Sequence, residues 1–309
     1  MELIDRYRGA LMGLATGDAV GVSLEFRMPG SFKPISDMVG GGTYRLAPGQ
    51  WTDDTSMALC LAESLVEKNG FDPVDQLERY LRWWKEGHLS STGECFDIGN
   101  TTRMALMQYE RERTPYCGSI NPRQAGNGSI MRLAPVPLFF ARNPREAVER
   151  SGESSRTTHG TVACIDCCRY LGALIVGALE ERSKEELPSE RFCPVPGFWS
   201  ERPLMGELDA VAAGSFKYAE PPTIQATGHV VKTLEAALWA FHRTDTYKDG
   251  CLKAVNLGDD ADTVGAVYGQ LAGAFYGERG IPESWRSLIH RKEMILGFAD
   301  RLHELSRSI

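Results

Sequence analysis

The stretch that decides the fold is residues 257–277, LGDDADTVGAVYGQLAGAFYG, in which an acidic start leads into an apolar helical run. A glycine recurs at every fourth position of this run: Gly265, Gly269, Gly273 and Gly277. A glycine inside a helix costs roughly 0.5 to 1 kcal/mol relative to alanine, so a stripe of them needs compensation from close packing. We therefore predict that this helix lies against a second backbone in the centre of the molecule.

The N-terminal segment carries a matching stripe of glycines, again four residues apart: Gly9, Gly13, Gly17 and Gly21. In an apolar segment such spacing can mark a pair of membrane helices, but Asp18 and Gln270 interrupt the two runs, which favours a tightly packed soluble core. No window reaches the roughly 18 uninterrupted apolar residues of a membrane helix, so we expect no membrane span.

Helical periodicity dominates the rest of the chain, and no series of alternating strands competes with it. The periodic segments are 7–20, 53–66, 74–85, 98–111, 147–155, 161–181, 228–242, 263–276 and 292–305. Residues 184–203, rich in proline and charge, are predicted to form one long surface connection. No linker divides the sequence, so we predict a single all-α domain over residues 1–309.

Composition narrows the class of protein. With 42% hydrophobic residues in 309, the chain can bury a sizeable core, and its net charge of -7 argues against nucleic acid or a membrane surface as the main partner. Cys164, Cys167 and Cys168 fall on one face of a predicted helix and are expected in the core rather than in a zinc site or disulfide. The N-terminus lacks the basic start of a secretory signal, so a reducing cytoplasm is expected.

The acidic start of the glycine-striped helix contains Asp259, Asp260 and Asp262, followed by Thr263. Helix capping explains one such residue, because an aspartate there accepts hydrogen bonds from free backbone N–H groups. Crowded carboxylates repel one another, so the others call for a cation. A second cluster, Thr52-Asp53-Asp54-Thr55, opens another apolar run. If the two helix starts converge, their hard oxygen atoms suit one or two Mg²⁺ or Mn²⁺ ions rather than Zn²⁺.

Four further features have both a functional and an ordinary interpretation. Residues 124–132, QAGNGSIMR, offer backbone N–H groups, a hydroxyl and a guanidinium that can cradle a phosphate, or they form an Asn-Gly turn before a helix. Asp97 is either a catalytic residue or the cap of the next helix. Glu25 is either a catalytic residue or an exposed charge in a loop. His159 either binds a ligand or is an ordinary turn residue. The local sequence alone favours the ordinary interpretation of each.

Taken together, these motifs resemble the ADP-ribosylglycohydrolase family, and within it the dinitrogenase reductase-activating glycohydrolases and ADP-ribosylarginine hydrolases. The resemblance runs over nearly the whole chain. Its motifs are residues 8–13, 17–19, 48–55, 97–101, 126–132, 158–159 and 257–265.

This resemblance implies a compact orthogonal multi-helix fold around a binuclear Mg²⁺ or Mn²⁺ centre. The metal ligands carry over onto Thr52, Asp53, Asp54, Asp260, Asp262 and Thr263. The resemblance makes Asp97 and Glu25 the catalytic residues, with Asp97 beside the scissile bond and Glu25 on a mobile loop over the site. The substrate-binding positions become Gly99, Asn100, Asn127, Gly128, Ser129, Met131, Arg132 and His159. Asp259 is an extra acid where some members have glycine.

The function that follows is metal-dependent hydrolysis of an ADP-ribosyl linkage on a protein or small molecule, most specifically the N-glycosidic bond of ADP-ribosyl-arginine. Water attacks the anomeric carbon, Asp97 orients the guanidinium, and Glu25 polarises the water or supports the charged ribose, the two roles being exchangeable. Two alternatives stay open: hydrolysis of another linkage, such as serine, O-acetyl-ADP-ribose or a small guanidine compound, and a non-catalytic ADP-ribose-binding protein.

Overall fold

Helices account for all the regular secondary structure of the chain. The computed structural model describes residues 1–309 and contains fourteen α-helices, three 3₁₀ helices and no β-strand, only isolated bridges. The α-helices, numbered in chain order, are α1 Leu3–Gly21, α2 Asp53–Lys68, α3 Pro73–Glu86, α4 Asn100–Glu112, α5 Pro135–Phe139, α6 Pro144–Ser155, α7 Val162–Leu179, α8 Phe198–Glu201, α9 Gly206–Ala212, α10 Val230–His242, α11 Tyr247–Val255, α12 Ala261–Tyr276, α13 Glu283–Arg286 and α14 Lys292–Ser306. The all-α prediction is confirmed.

All nine predicted helices are present, with ends that agree to within about one helical turn. The five helices that the periodicity missed are all short, because four to nine residues give too few turns for an apolar stripe to be recognised. The predicted surface connection 184–203 is only partly correct. It contains α8 and buries Leu187 and Phe198, whose apolar side chains are masked in the sequence by neighbouring charges.

The two glycine-striped helices, α1 and α12, pack backbone to backbone and form the central seam of the molecule. Gly9, Gly13 and Gly17 face Gly273, Gly269 and Gly265 in antiparallel order. A Cβ atom built on Gly269 would overlap the Gly13 carbonyl oxygen and lie 3.0 Å from the Leu14 nitrogen. At the end of the seam, Gly21 faces the backbone of Asp262. The predicted close approach is confirmed, and it places the acidic start of α12 against the C-terminal end of α1.

A single methyl group in this seam is expected to be costly. Gly269→Ala should lower the free energy of unfolding by roughly 1 to 3 kcal/mol, because the new Cβ meets backbone that has no side chain to move aside. Gly297→Ala is the matched control, since Gly297 lies in α14 with nothing within 4 Å of its Cβ position. That change should stabilise the chain by roughly 0.5 to 1 kcal/mol. Urea denaturation of both variants measures the difference, and equal stabilities would contradict the packing argument.

Around the seam, 83 buried apolar residues form one continuous cluster. Cys164, Cys167 and Cys168 are fully buried in it on α7, as predicted, and all eight cysteines are free. Helix α7 is long and apolar enough for a membrane span, but 83% of it is buried against the rest of the chain, as in the core helix of a globular protein.

Candidate active site

The two acidic helix starts converge on one cavity of about 330 Å³. The Thr263 hydroxyl lies 3.5 Å from an oxygen of Asp54, which joins the start of α12 to the start of α2. Seven carboxylates line the cavity, and no lysine or arginine does. The carboxylates are Glu25, Asp53, Asp54, Asp97, Asp259, Asp260 and Asp262. The convergence that the sequence predicted is therefore present, and it concentrates negative charge without a protein cation to balance it.

Helix capping does not account for these acids. Asp72 shows what a capping aspartate does, since its side chain accepts from the N–H groups of Val74 and Asp75 at the start of α3. At the starts of α2 and α12 the cap residues Thr52 and Asp260 make no such bond. The capping interpretation of the two clusters is wrong, and their carboxylates are available for another partner.

Several carboxylate oxygens in the cavity are buried without any hydrogen-bond partner: Glu25 Oε2, Asp54 Oδ2 and Asp262 Oδ1. An unpaired buried charge is strongly unfavourable. Burial, followed by repulsion from neighbouring acids, accordingly raises the pKa of Asp54 and of Asp262 well above the ordinary range. Hard, unpartnered carboxylate oxygens next to threonine hydroxyls are the donors that Mg²⁺ and Mn²⁺ prefer, so the residues present fit such ions.

Glu25 is buried, with 4% of its surface exposed, so the interpretation as an exposed loop charge is wrong. One carboxylate oxygen of Glu25 lies within 4.8 Å of an oxygen of Asp97 and of an oxygen of Asp262, and those two oxygens also lie within 4.8 Å of each other. Burial first, and then the Asp97 charge, raises the pKa of Glu25 to about 9. The sequence could not show this, because Glu25 follows α1 in an irregular turn.

The Glu25 turn is fixed to the loop that precedes α12. The Phe26 N–H donates to the Asp259 carbonyl and the Asp259 N–H donates to the Arg27 carbonyl, both at 2.7 Å. Asp259 has a φ of 53°, in the left-handed region that glycine favours. This bridge holds Glu25 over the acids of α12.

Asp97 lies on the loop before α4, half-buried, and does not cap that helix, whose cap residue is Gly99. Burial raises the pKa of the Asp97 carboxyl, while a hydrogen bond from Tyr44 acts in the opposite direction. Tyr44, which sequence analysis missed, packs its ring 5.0 Å from that of Phe96. Nothing local in the sequence marks it, since it follows three glycines in a loop.

The predicted phosphate-binding segment also lines the cavity, through Asn127, Gly128 and Met131, and Gly99, Asn100 and His159 lie beside it in the lining. A Cβ on Gly128 would lie 2.7 Å from His159 Cε1, so glycine is needed for the loop to reach the imidazole. Burial and the nearby Arg132 lower the pKa of His159 to about 3, which keeps the ring neutral. His159 can therefore exchange hydrogen bonds with a ligand but does not attract a phosphate as a cation.

Three side chains of this segment make hydrogen bonds or contacts inside the protein, and two of the three do not line the cavity. The Asn127 amide donates to Asp260 Oδ2 at 2.7 Å and to Thr233 Oγ1 at 2.9 Å, so it orients Asp260. Ser129 and Arg132 are buried behind the cavity and do not line it. Arg132 donates to the Gly128 carbonyl, Thr157 and Thr158 and so supports the loop from behind, because its long polar side chain finds oxygen acceptors only in the interior.

Asp18 holds the start of α2, although in the sequence it was interpreted only as an interruption of an apolar helix. Asp18 of α1 is fully buried and accepts hydrogen bonds from the backbone and side chains of Thr52 and Thr55. Thr52 is itself fully buried and does not line the cavity. The sequence did contain a signal for this role, because Asp18 is an acid next to Gly17 in a helix whose glycine stripe predicts close packing.

Known proteins share both the sequence and the fold. The family model described as ADP-ribosylglycohydrolase matches residues 1–308. The ADP-ribosylarginine hydrolase Tri1 of Serratia proteamaculans is 42% identical over 301 residues, which are 97% of this chain and 80% of that protein. The ADP-ribosyl-[dinitrogen reductase] glycohydrolase of Rhodospirillum rubrum is 33% identical, over 93% of this chain and 91% of that protein.

Among solved structures, one titled "ADP-ribosylglycohydrolase-related protein complex" superposes with a TM-score of 0.87 at 42% identity and covers 99% of both chains. The similarity therefore includes the two helix starts, the Glu25 turn and the 124–132 segment. The chain belongs to the ADP-ribosylglycohydrolase family, whose members are enzymes that hydrolyse ADP-ribose linkages.

Proposed function

We propose that the chain is a divalent-metal-dependent hydrolase that cleaves the N-glycosidic bond between ADP-ribose and an arginine side chain, in a protein or a small molecule. The observation that carries this proposal is the cluster of Glu25, Asp97 and Asp262, whose carboxylates lie within 4.8 Å of one another in a cavity without a basic side chain. Such a site favours positively charged ligands. Relatives that are 42% identical to this chain are named ADP-ribosylarginine hydrolases, which also supports the proposal.

The arginine linkage explains Asp97. A substituted guanidinium keeps its positive charge at neutral pH and presents N–H donors in a plane, and a carboxylate accepts such donors in pairs. The ester or ether oxygen of a serine or acetyl linkage offers neither charge nor donors. Asp97 is half-buried and burial raises the pKa of its carboxyl, so a guanidinium beside it would favour the charged form that accepts those donors.

The residues that would hold two Mg²⁺ or Mn²⁺ ions are Asp53, Asp54, Asp260, Asp262 and Thr263, which line the cavity, together with Thr52, which is buried directly before Asp53. The unpartnered oxygens of Asp54 and Asp262 support this set. When bound, such ions supply charge stabilisation and lower the pKa of a coordinated water. In the reaction, the bond from the anomeric carbon to nitrogen breaks with its electron pair on the guanidine. The water oxygen bonds to the anomeric carbon as Glu25, in the ionised form that a nearby cation would favour, accepts the proton of the water. That proton then returns to the leaving nitrogen.

A panel of substrates tests the linkage. The chain with Mg²⁺ or Mn²⁺ should release ADP-ribose from ADP-ribosyl-arginine and leave ADP-ribosyl-serine and O-acetyl-ADP-ribose intact. Release measured by chromatography decides the outcome. Turnover of the serine linkage alone would contradict the arginine assignment, and binding of ADP-ribose without turnover of any linkage would contradict the assignment as a hydrolase.

Single ligand changes test the metal centre. Asp54→Asn and Asp260→Asn each remove one charge at constant size, and each should weaken Mn²⁺ binding by roughly 10-fold or more. Asp72→Asn is the matched control, because Asp72 caps α3 and does not line the cavity. Calorimetric titration of Mn²⁺ into the three variants measures the effect. Wild-type affinity in both site variants would show that these carboxylates do not bind the ion.

We also propose a cytoplasmic location. All eight cysteines are free, six of them buried, and a reducing compartment keeps such thiols reduced.

A further inference from the structure

The start of α2 receives its hydrogen-bond acceptor from another helix. Asp18 Oδ1 accepts from the Thr52 N–H and the Thr52 hydroxyl, both at 3.0 Å. Asp18 Oδ2 accepts from the Thr55 N–H at 3.1 Å and the Thr55 hydroxyl at 2.6 Å. All four partners are donors, and the Asp18 side chain has no contact with solvent. Asp18 of α1 thus caps the start of α2 in place of the aspartates of α2 itself.

This arrangement leaves Asp53 and Asp54 free. They lie between Thr52 and Thr55, at the helix start whose N–H groups would otherwise compete for their oxygens. Because Asp18 satisfies the N–H groups of Thr52 and Thr55, the two carboxylates keep oxygens available for a cation, and Asp54 Oδ2 has no other partner.

Asp18 also directs the Thr52 hydroxyl. A hydroxyl that binds a cation must point its proton away from the ion and present a lone pair, and an acceptor behind the ligand fixes that orientation. The Thr52 hydroxyl donates to Asp18, so its proton points at Asp18 and its lone pairs are left for another partner. We propose that Asp18 is a positioning residue for the metal centre, one that sets the affinity of the Thr52–Asp54 cluster for the ion without contacting it. This inference rests on the metal dependence of the proposed function.

A purely structural role is the competing explanation, since the same bonds tie α1 to α2. The chain offers a matched control for it. The Tyr247 hydroxyl donates to the Gly13 carbonyl at 2.7 Å, a buried hydrogen bond to the same helix α1 from residue 247 of α11. Tyr247→Phe removes that bond and leaves α2 untouched. It should lower the melting temperature without changing metal affinity.

The experiment compares four variants, each stripped of metal with a chelator and titrated with Mn²⁺ in a calorimeter, with melting temperatures measured alongside. Asp18→Asn places an amide donor against the donors of Thr52 and Thr55, and Thr55→Val removes one donor at nearly constant shape. Both should weaken Mn²⁺ binding by roughly 10-fold or more, the range found when residues that orient metal ligands are lost. Thr55→Ser keeps the hydroxyl and should bind Mn²⁺ as the wild type does, as should Tyr247→Phe.

Wild-type Mn²⁺ affinity in both Asp18→Asn and Thr55→Val would overturn the inference. A loss of affinity in Tyr247→Phe as large as in those variants would also overturn it, because affinity would then follow overall stability. Both results would leave the proposed function standing. A wild-type chain that binds no Mn²⁺ would instead refute the metal centre of the proposed function, and this inference with it.

Discussion

Replacing Asp97 with asparagine should lower kcat/KM for ADP-ribosyl-arginine by roughly 100-fold or more, the range expected when an orienting or acid-base group is lost. The amide keeps the size of the side chain but offers only one acceptor oxygen and no charge to a guanidinium. Asp97 lies within 4.8 Å of Glu25 and Asp262, so the loss affects the reacting end of the cavity. Binding of Mn²⁺ and of free ADP-ribose should stay as in the wild type.

The measurement is steady-state kinetics on ADP-ribosyl-arginine beside calorimetric binding of Mn²⁺ and ADP-ribose. Glu94→Gln is the matched control, because Glu94 is an exposed acid on the same loop that does not line the cavity, and its kinetics should not change. Near-wild-type turnover by Asp97→Asn would reject the guanidinium-orienting role. A parallel loss of Mn²⁺ binding would instead make Asp97 part of the metal centre.

Removal of divalent ions should abolish turnover and lower the melting temperature. An ion present at about 100 times its Kd stabilises the folded chain by roughly 2.7 kcal/mol, which for a chain of this size corresponds to roughly 5 °C. Chelation followed by calorimetric melting, with Mg²⁺ or Mn²⁺ added back, measures both effects. Full activity after rigorous removal of metal would contradict the metal-dependent mechanism.

The stability of the chelated chain should also fall as pH rises from 7 to 9. The folded-state pKa of Glu25 is about 9, above its unfolded value of 4.5, so the folded state binds more protons across this window and its advantage is lost as pH rises through 9. Asp54 and Asp262 act in the same direction. Buried His159 acts oppositely, but only below its unfolded pKa of 6.5. Melting curves with and without Mg²⁺ should therefore diverge toward pH 9, and parallel curves would contradict the raised pKa values.

The sequence was most informative where a periodic pattern or a repeated motif extends over many residues. The two glycine stripes predicted the central seam, and the paired acidic motifs predicted that the starts of α2 and α12 meet, as they do. The site was less predictable where a side chain is placed by distant contacts. Arg132 was expected in the cavity, but the hydroxyl acceptors Thr157 and Thr158 draw it into the interior.

Asp18 and Tyr44 were missed for the same reason. Asp18 lies on α1, more than thirty positions before the threonines that it holds, and Tyr44 lies in a glycine-rich loop before α2. The burial of Glu25 likewise depends on a bridge between Phe26 and Asp259, at opposite ends of the chain. Local sequence does not encode such pairings, which follow only from the complete fold.

The antiparallel seam between α1 and α12 also bears on how the chain folds during synthesis. Its two partners are residues 3–21 and 261–276, so the contacts at the centre of the molecule join the beginning of the chain to a segment near its end. Contacts of such high sequence separation are slow to form, and the N-terminal helix leaves the ribosome long before its partner exists. The face of α1 that packs on α12 therefore stays uncovered until α12 has been translated, so the active site, which needs both helices, is one of the last parts of the protein to assemble.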